Sequence, residues 1–295
     1  VPKHVPIPES LYTAFLDVRV PITIAVVYAI TIHLLNARAN GTPYRIANTR
    51  IFKAFVIAHN IFLAVYSAWT FYGMVTGIHR TLDRSSGIAG AVTSMCKIRS
   101  ETRVPFYSGA GGNATVPVTT TETLAAGKAT GLWEEALAYY GWWFYLSKFY
   151  EVIDTAIIIL KGKKSSLLQT YHHAGAMICM WFGIRYMAPP IWIFCVFNSL
   201  IHALMYTYYS LTALKIRVPN VLKRSLTSMQ ITQFLIGGSL AASYLFVALA
   251  DGVPCLSNTG EAWAVVANVA YLAPLTYLFV DFFIRSYTGK GKSTK

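Results

Sequence analysis

The apolar positions of this chain gather into seven stretches, residues 20–35, 52–77, 136–160, 167–186, 191–214, 226–250 and 262–284. A helix needs about 20 mostly apolar residues to cross a bilayer core, so the pattern predicts an all-α integral membrane protein with seven transmembrane helices, the first of them short. Polar residues interrupt these stretches at helical spacing. Lys148, Glu151, Asp154 and Thr155 lie on the third, Gln169, His172 and His173 on the fourth, and Asn198, His202, Tyr206 and Tyr209 on the fifth. At about 100° per residue each set forms one stripe no more than about 120° wide. Gln230 and Gln233 on the sixth stretch and His59 and Asn60 on the second join the same layer. Such side chains are costly in hydrocarbon and mark working sites.

Composition agrees: of 295 residues 55% are hydrophobic and only 13% charged, too apolar for a soluble domain. The net charge of +13 reads as loop chemistry. With a lumenal N-terminus, the segments around 38–53, 161–164 and 215–224 and the tail from Arg285 fall on the cytosolic side and carry fifteen basic residues against nine opposite, which favours a cytosolic C-terminus. The basic face suits anionic headgroups of membrane lipids or an anionic substrate, and no module suggests nucleic acid. Residues 1–17 lack a charged n-region followed by an apolar h-region, so insertion is expected to rely on the first span.

The chain reads as a single domain, 1–295, with a lumenal loop insertion at about 79–135 whose Gly-, Thr- and Ser-rich middle (107–130) is expected to be a flexible loop. Sequons at Asn113 and Asn40 fall on opposite predicted faces and decide nothing. Cys179 and Cys195 lie within spans and read as packing residues. Cys96 and Cys255 lie in loops on the oxidising side and form a candidate disulfide.

Lys148, Glu151 or Asp154 alone could be an ion pair that fastens helices together. The histidines argue further: a His172–His173 pair with Gln169 one turn earlier, facing His202 and two carboxylates at one depth, is hard to explain by packing. Imidazoles are also the commonest acid, base and nucleophile groups near neutral pH. With about 1.5 Å of rise per residue, all fall in the cytosolic half of the bilayer.

At these residues the chain resembles the ELO family of fatty acid elongases, membrane 3-ketoacyl-CoA synthases of the endoplasmic reticulum. The matching runs are Lys148 through Thr155, Gln169 through His173, Asn198 through Tyr209, and Thr227 through Gln233. Gln169 stands where many members have His, a variant similar to elongases of fungi and other lower eukaryotes, some of which act on polyunsaturated chains. The resemblance implies that helices two to seven form an inverted barrel around an acyl tunnel entered from the cytosol and closed at the lumenal end. It implies condensation of a long-chain acyl-CoA with malonyl-CoA, without a cofactor or metal, through an acyl-imidazole. His172 would be the nucleophile, with His173, Glu151 and Asp154 orienting or deprotonating it, and Lys148 holding a carboxylate. His202, with Asn198 and Gln230, would stabilise the enolate or oxyanion; Gln169, Tyr206, Gln233, His59 and Asn60 complete the substrate-binding layer. The reductase, dehydratase and enoyl reductase of the elongation cycle are the implied partners, and a homodimer stays open. Trp142, Trp143, Phe182 and Phe246 are candidates, by depth, for closing the tunnel. The alternatives are a membrane di-iron desaturase or hydroxylase, a proton-coupled transporter and a seven-helix receptor.

Overall fold

The computed structural model describes residues 6–99, 130–249 and 252–288, together with the backbone of 103–107 and 113–117. A helix coincides with every apolar stretch: α2 (Arg19–Arg38), α3 (Arg50–Thr81), a segmented third rod, α7 (Leu167–Arg185), α8 (Ile191–Ala213), α9 (Asn220–Ser243) and α10 (Thr259–Tyr287). A short α1 (Glu9–Phe15) precedes them. Four of these, α2, α3, α8 and α10, are long and apolar enough to cross a membrane by length and composition. In α7 and the third rod the polar stripe dilutes the apolar run, and α9 opens on Lys223 and Arg224.

The third rod departs from the single helix expected over 136–160. A π-helical segment (Trp133–Gly141) leads into α5 (Trp142–Tyr150), and a turn at Glu151 separates α5 from α6 (Val152–Leu160). At that turn the Asp154 amide bonds the Glu151 carbonyl at 3.0 Å, an i→i−3 contact that tightens the backbone between the two carboxylates.

The 79–135 segment also differs from expectation. It contains α4 (Gly87–Cys96) and an antiparallel pair of β1 (Arg103–Tyr107) and β2 (Asn113–Pro117), with Val104 opposite Val116 and Phe106 opposite Ala114. Of the expected flexible middle, 108–112 and 118–129 lie outside the described residues. Cys96, which ends α4, is joined by a disulfide to Cys255 with Cα atoms 5.0 Å apart, tying this segment to the approach to α10.

Helix packing makes a circuit. α3 packs on α8, α8 on α9, α9 on α10, α10 on α7, α7 on α5, and the π-helical segment returns to α3; α2 lies outside against α7. The inward stripe of α3 shows why: Phe52, Val56, His59, Asn60, Leu63, Ser67, Thr70 and Met74 are buried at steps of one, three and four, while Ile51 and Val65 face outward. The polar residues His59, Asn60, Ser67 and Thr70 therefore lie on the buried side among apolar ones, and the exposed side is apolar, the arrangement a lipid environment favours. One end of the circuit is plugged by an apolar cluster in which Tyr12 of α1 stacks on Trp142, the Trp181 indole donates to the Leu16 carbonyl, and Tyr145 donates to that of Phe15.

Candidate functional site

Local caps set where the polar stripes begin. Ser166 caps α7, its hydroxyl accepting from the Gln169 amide at 3.2 Å, which puts Gln169, His172 and His173 in the first two turns of that helix. Thr49 caps α3 in the same way, two to three turns before His59 and Asn60.

Inside the circuit lies a cavity of about 540 Å³. Its walls run from Lys161 and Lys223, both exposed, to a layer holding Asp154, Gln169, His172, His173, Asn198, His202 and Tyr206, with Asn60, Gln230 and Gln233 beside them. A second, narrow pocket of about 50 Å³ continues beyond His172 between Phe144, Phe194, Phe197, Leu272 and Leu275. His172, Asn198, Gln233 and Phe234 line both spaces. The four aromatic candidates for tunnel closure line neither. Trp142 is packed into the apolar plug, with Trp143 and Phe182 against it, and Phe246 is 85% exposed; the narrow pocket is instead walled by other residues of α5 and α7 to α10.

Two buried polar networks hold the layer. In the first, Lys148 Nζ donates to Glu151 Oε1 at 2.7 Å and to Asn198 Oδ1 at 3.2 Å while sitting 4.0 Å from the centre of the Phe144 ring; Ser147 also donates to Glu151 Oε1 at 2.9 Å. His202 Nδ1 lies 3.7 Å from the same oxygen, just beyond hydrogen-bonding reach, and both it and Glu151 Oε2 are buried without a hydrogen-bond partner among the described residues. In the second, Asp154 takes His59 Nε2 on Oδ1 at 2.7 Å and the Tyr206 hydroxyl on Oδ2 at 2.5 Å. His59 stands behind Asp154, its other nitrogen 3.3 Å from the Tyr150 hydroxyl.

The histidines are held separately. Gln169 Nε2 meets His173 Nε2 at 2.8 Å and reaches Thr155 at 3.5 Å, and Thr155 is bonded in turn to Tyr28 of α2 at 2.8 Å. The rings of His172 and His202 stand 6.3 Å apart between centroids, and those of His172 and His173 5.4 Å. The carboxylates expected to orient His172 are engaged by nearer donors, Glu151 by Lys148 and Ser147 and Asp154 by His59 and Tyr206, and it is Tyr271 of α10 whose hydroxyl lies 3.0 Å from His172 Nδ1. No polar signal singles out Tyr271, because a tyrosine within an apolar span reads as an interfacial anchor. Gln230 makes only a weak contact, to Met205 Sδ at 3.4 Å, and Asn60 bonds the Val56 carbonyl of its own helix.

Among the described residues no group of three or more His, Cys, Asp or Glu is placed to hold a metal ion. The donors of this layer are instead paired with lysine, tyrosine and glutamine. The fold and the layer thus define a multi-pass membrane protein with a histidine and carboxylate site buried between its helices.

Comparison with known proteins places it. Residues 13–295 match the GNS1/SUR4 (ELO) family, and the chain belongs to that family. It is 33% identical over 159 residues to long chain fatty acid elongase 1 of Caenorhabditis elegans, covering 53% of this chain and 54% of that protein. It is 34% identical over 151 residues to very long chain fatty acid elongase 4 of Homo sapiens, covering 50% and 45%. Fatty acid elongase 2 of Trypanosoma brucei brucei is 32% identical over 162 residues, covering 52% and 59%. The chain thus spans about half the length of the curated relatives it matches. No solved structure matches.

Proposed function

We propose that this protein is a condensing enzyme of fatty acid elongation, joining a long-chain acyl-CoA to malonyl-CoA to give a 3-ketoacyl-CoA two carbons longer. The observation that carries the reading is the position of His172, which lines both the wide cavity with basic residues in its wall and the narrow apolar pocket. An acyl tail in the pocket and a CoA in the cavity would put the thioester carbon against that ring. The family membership and the named elongase relatives support the same chemistry.

The reaction runs in two stages. A neutral His172 nitrogen attacks the thioester carbon, the C–S bond breaks with its electron pair on sulfur, and CoA leaves as the thiolate. Malonyl-CoA then enters and loses CO2, and the resulting carbanion equivalent attacks the acyl carbon. The C–N bond breaks and its electron pair returns to His172. His202 and Asn198, on the facing helix, are placed to stabilise the enolate or oxyanion, with Gln230 beside them. Lys148 and Glu151 fix Asn198 from behind, while Asp154, His59 and Tyr206 form the wall opposite. The substrates alone supply the chemistry, without a cofactor.

The packing circuit of α3, the third rod and α7 to α10 supports a barrel of six spanning helices with α2 as a seventh outside it, in one domain. The charge distribution supports a cytosolic mouth and C-terminus, with the disulfide on the lumenal side, in the endoplasmic reticulum membrane. The reductase, dehydratase and enoyl reductase that process a 3-ketoacyl-CoA are the fitting partners. The di-iron reading finds no ligand set among the described residues. Purified protein given a long-chain acyl-CoA and malonyl-CoA should release CO2 and 3-ketoacyl-CoA in equal amounts; absence of malonyl-dependent product overturns the reading.

A further inference from the structure

Tyr271 and His172 make two contacts through one hydroxyl. The Tyr271 oxygen lies 3.0 Å from His172 Nδ1 and 3.0 Å from the His172 backbone carbonyl. A phenol has one proton to donate, and a carbonyl oxygen can only accept. When the hydroxyl donates to the carbonyl, its lone pair faces Nδ1, and that contact is a hydrogen bond only if Nδ1 carries the ring proton. The neutral imidazole then has its lone pair on Nε2, the nitrogen not engaged by Tyr271.

The surroundings are built for this approach. Gly175, one turn beyond His172, leaves the space that the Tyr271 ring fills; a Cβ there would meet the ring's Cε2 and Cδ2. Tyr171 stacks on Tyr271 with centroids 5.5 Å apart and donates to its backbone carbonyl at 3.2 Å. The ring is therefore fixed from two sides, and its hydroxyl with it.

We infer that Tyr271 is a positioning residue which holds His172 in the Nδ1-protonated tautomer, presenting Nε2 as the nucleophile and stabilising, through its oxygen, the positive charge that develops on the ring when the acyl group is bonded to it. The inference deepens the proposed condensation and rests on it for the acyl step. When Nε2 bonds to the acyl carbon and CoA leaves as thiolate, the ring keeps its Nδ1 proton and becomes an acyl-imidazolium. The Tyr271 oxygen accepts that proton's hydrogen bond, and attack by the carbanion equivalent returns the ring to its neutral tautomer.

The test is the single-turnover rate of acyl-adduct formation with a long-chain acyl-CoA in wild type, Tyr271→Phe, and Tyr277→Phe, a control on the outward face of the same helix where the side chain is largely exposed. Phe keeps the ring and its stacking. The expected result is a loss of about 100-fold in rate and kcat for Tyr271→Phe, with KM, thermal midpoint and acyl-CoA affinity near wild type and the control unchanged. Gly175→Ala, which displaces the same ring without touching the hydroxyl, should slow the step likewise. A wild-type rate in Tyr271→Phe overturns the inference and leaves the condensing reading standing. A wild type that makes no 3-ketoacyl product overturns the condensing reading instead. The tautomer itself is read from 15N shifts of His172 in the resting protein, whatever the activity: Nδ1 protonated in wild type is expected, and Nε2 protonated in wild type overturns the inference.

Discussion

The Tyr206 hydroxyl donates to Asp154 Oδ2 across 2.5 Å, joining two helices whose residues are 52 apart in the chain. Tyr206 is fully buried and the other carboxylate oxygen is taken by His59, so both Asp154 oxygens are held by protein donors. Tyr206→Phe preserves volume and removes one charge-assisted bond, which should lower stability by about 1–3 kcal/mol. Asp154→Asn disturbs both contacts and should cost more in stability and in turnover. Thermal unfolding in detergent beside a turnover assay checks this, and equal effects of the two substitutions would contradict it.

Lys148 and Glu151 are each only 2% exposed, so their pairing is a matter of compensation rather than gain. Replacing one partner leaves a buried charge and should destabilise by about 3–5 kcal/mol; replacing both with apolar residues of similar size should restore much of that. Lys148→Met, Glu151→Leu and the double variant, compared by denaturant unfolding, test the coupling. Additive losses would refute it. Activity should stay low in the double variant, since Asn198 loses its Lys148 donor as well.

Reduction of the Cys96–Cys255 disulfide frees a loop of 159 residues, which chain entropy values at about 5 kcal/mol of stability. Neither cysteine lines the cavity or pocket that holds the histidines. Cys96→Ser with Cys255→Ser should therefore lower the thermal midpoint while leaving kcat near wild type. An inactive but normally stable double variant would argue that the end of the fold held by the disulfide shapes the site.

Asn268 lines the narrow apolar pocket with its Oδ1 buried and without a hydrogen-bond partner among the described residues. A saturated acyl chain cannot satisfy that amide. Asn268→Leu removes the mismatch, worth about 1–3 kcal/mol, and should tighten binding of saturated long-chain acyl-CoA. Competition between saturated and hydroxylated or unsaturated chains gives the readout: the variant should shift toward saturated chains, and an unchanged ratio would mean the tail does not pass Asn268.

Much of the arrangement was legible because helical periodicity survives in a membrane. Lys148, Glu151 and Asp154 fall on one stripe, and folding brings that stripe against His172, His202 and Tyr206 as their common depth implied. What periodicity could not carry was change in the helix itself. The π-helical segment and the turn at Glu151 follow from tertiary packing, and nothing in residues 133–160 announces them. Tyr271 was hidden because an aromatic residue in an apolar span has ordinary explanations. Depth alone could not say which face Trp142 presents: it packs on Tyr12 within the plug and does not line the pocket. The hairpin of β1 and β2 was masked by the Gly- and Thr-rich composition around it.

The central claim is that His172 carries the acyl chain, and intact mass measures it directly. Protein incubated with a long-chain acyl-CoA alone should gain one acyl mass, mapped to His172, in wild type and not in His172→Ala; His202→Ala should still form the adduct but fail to condense it with malonyl-CoA. An adduct that persists in His172→Ala, or 3-ketoacyl product formed by that variant at the wild-type rate, would contradict the account.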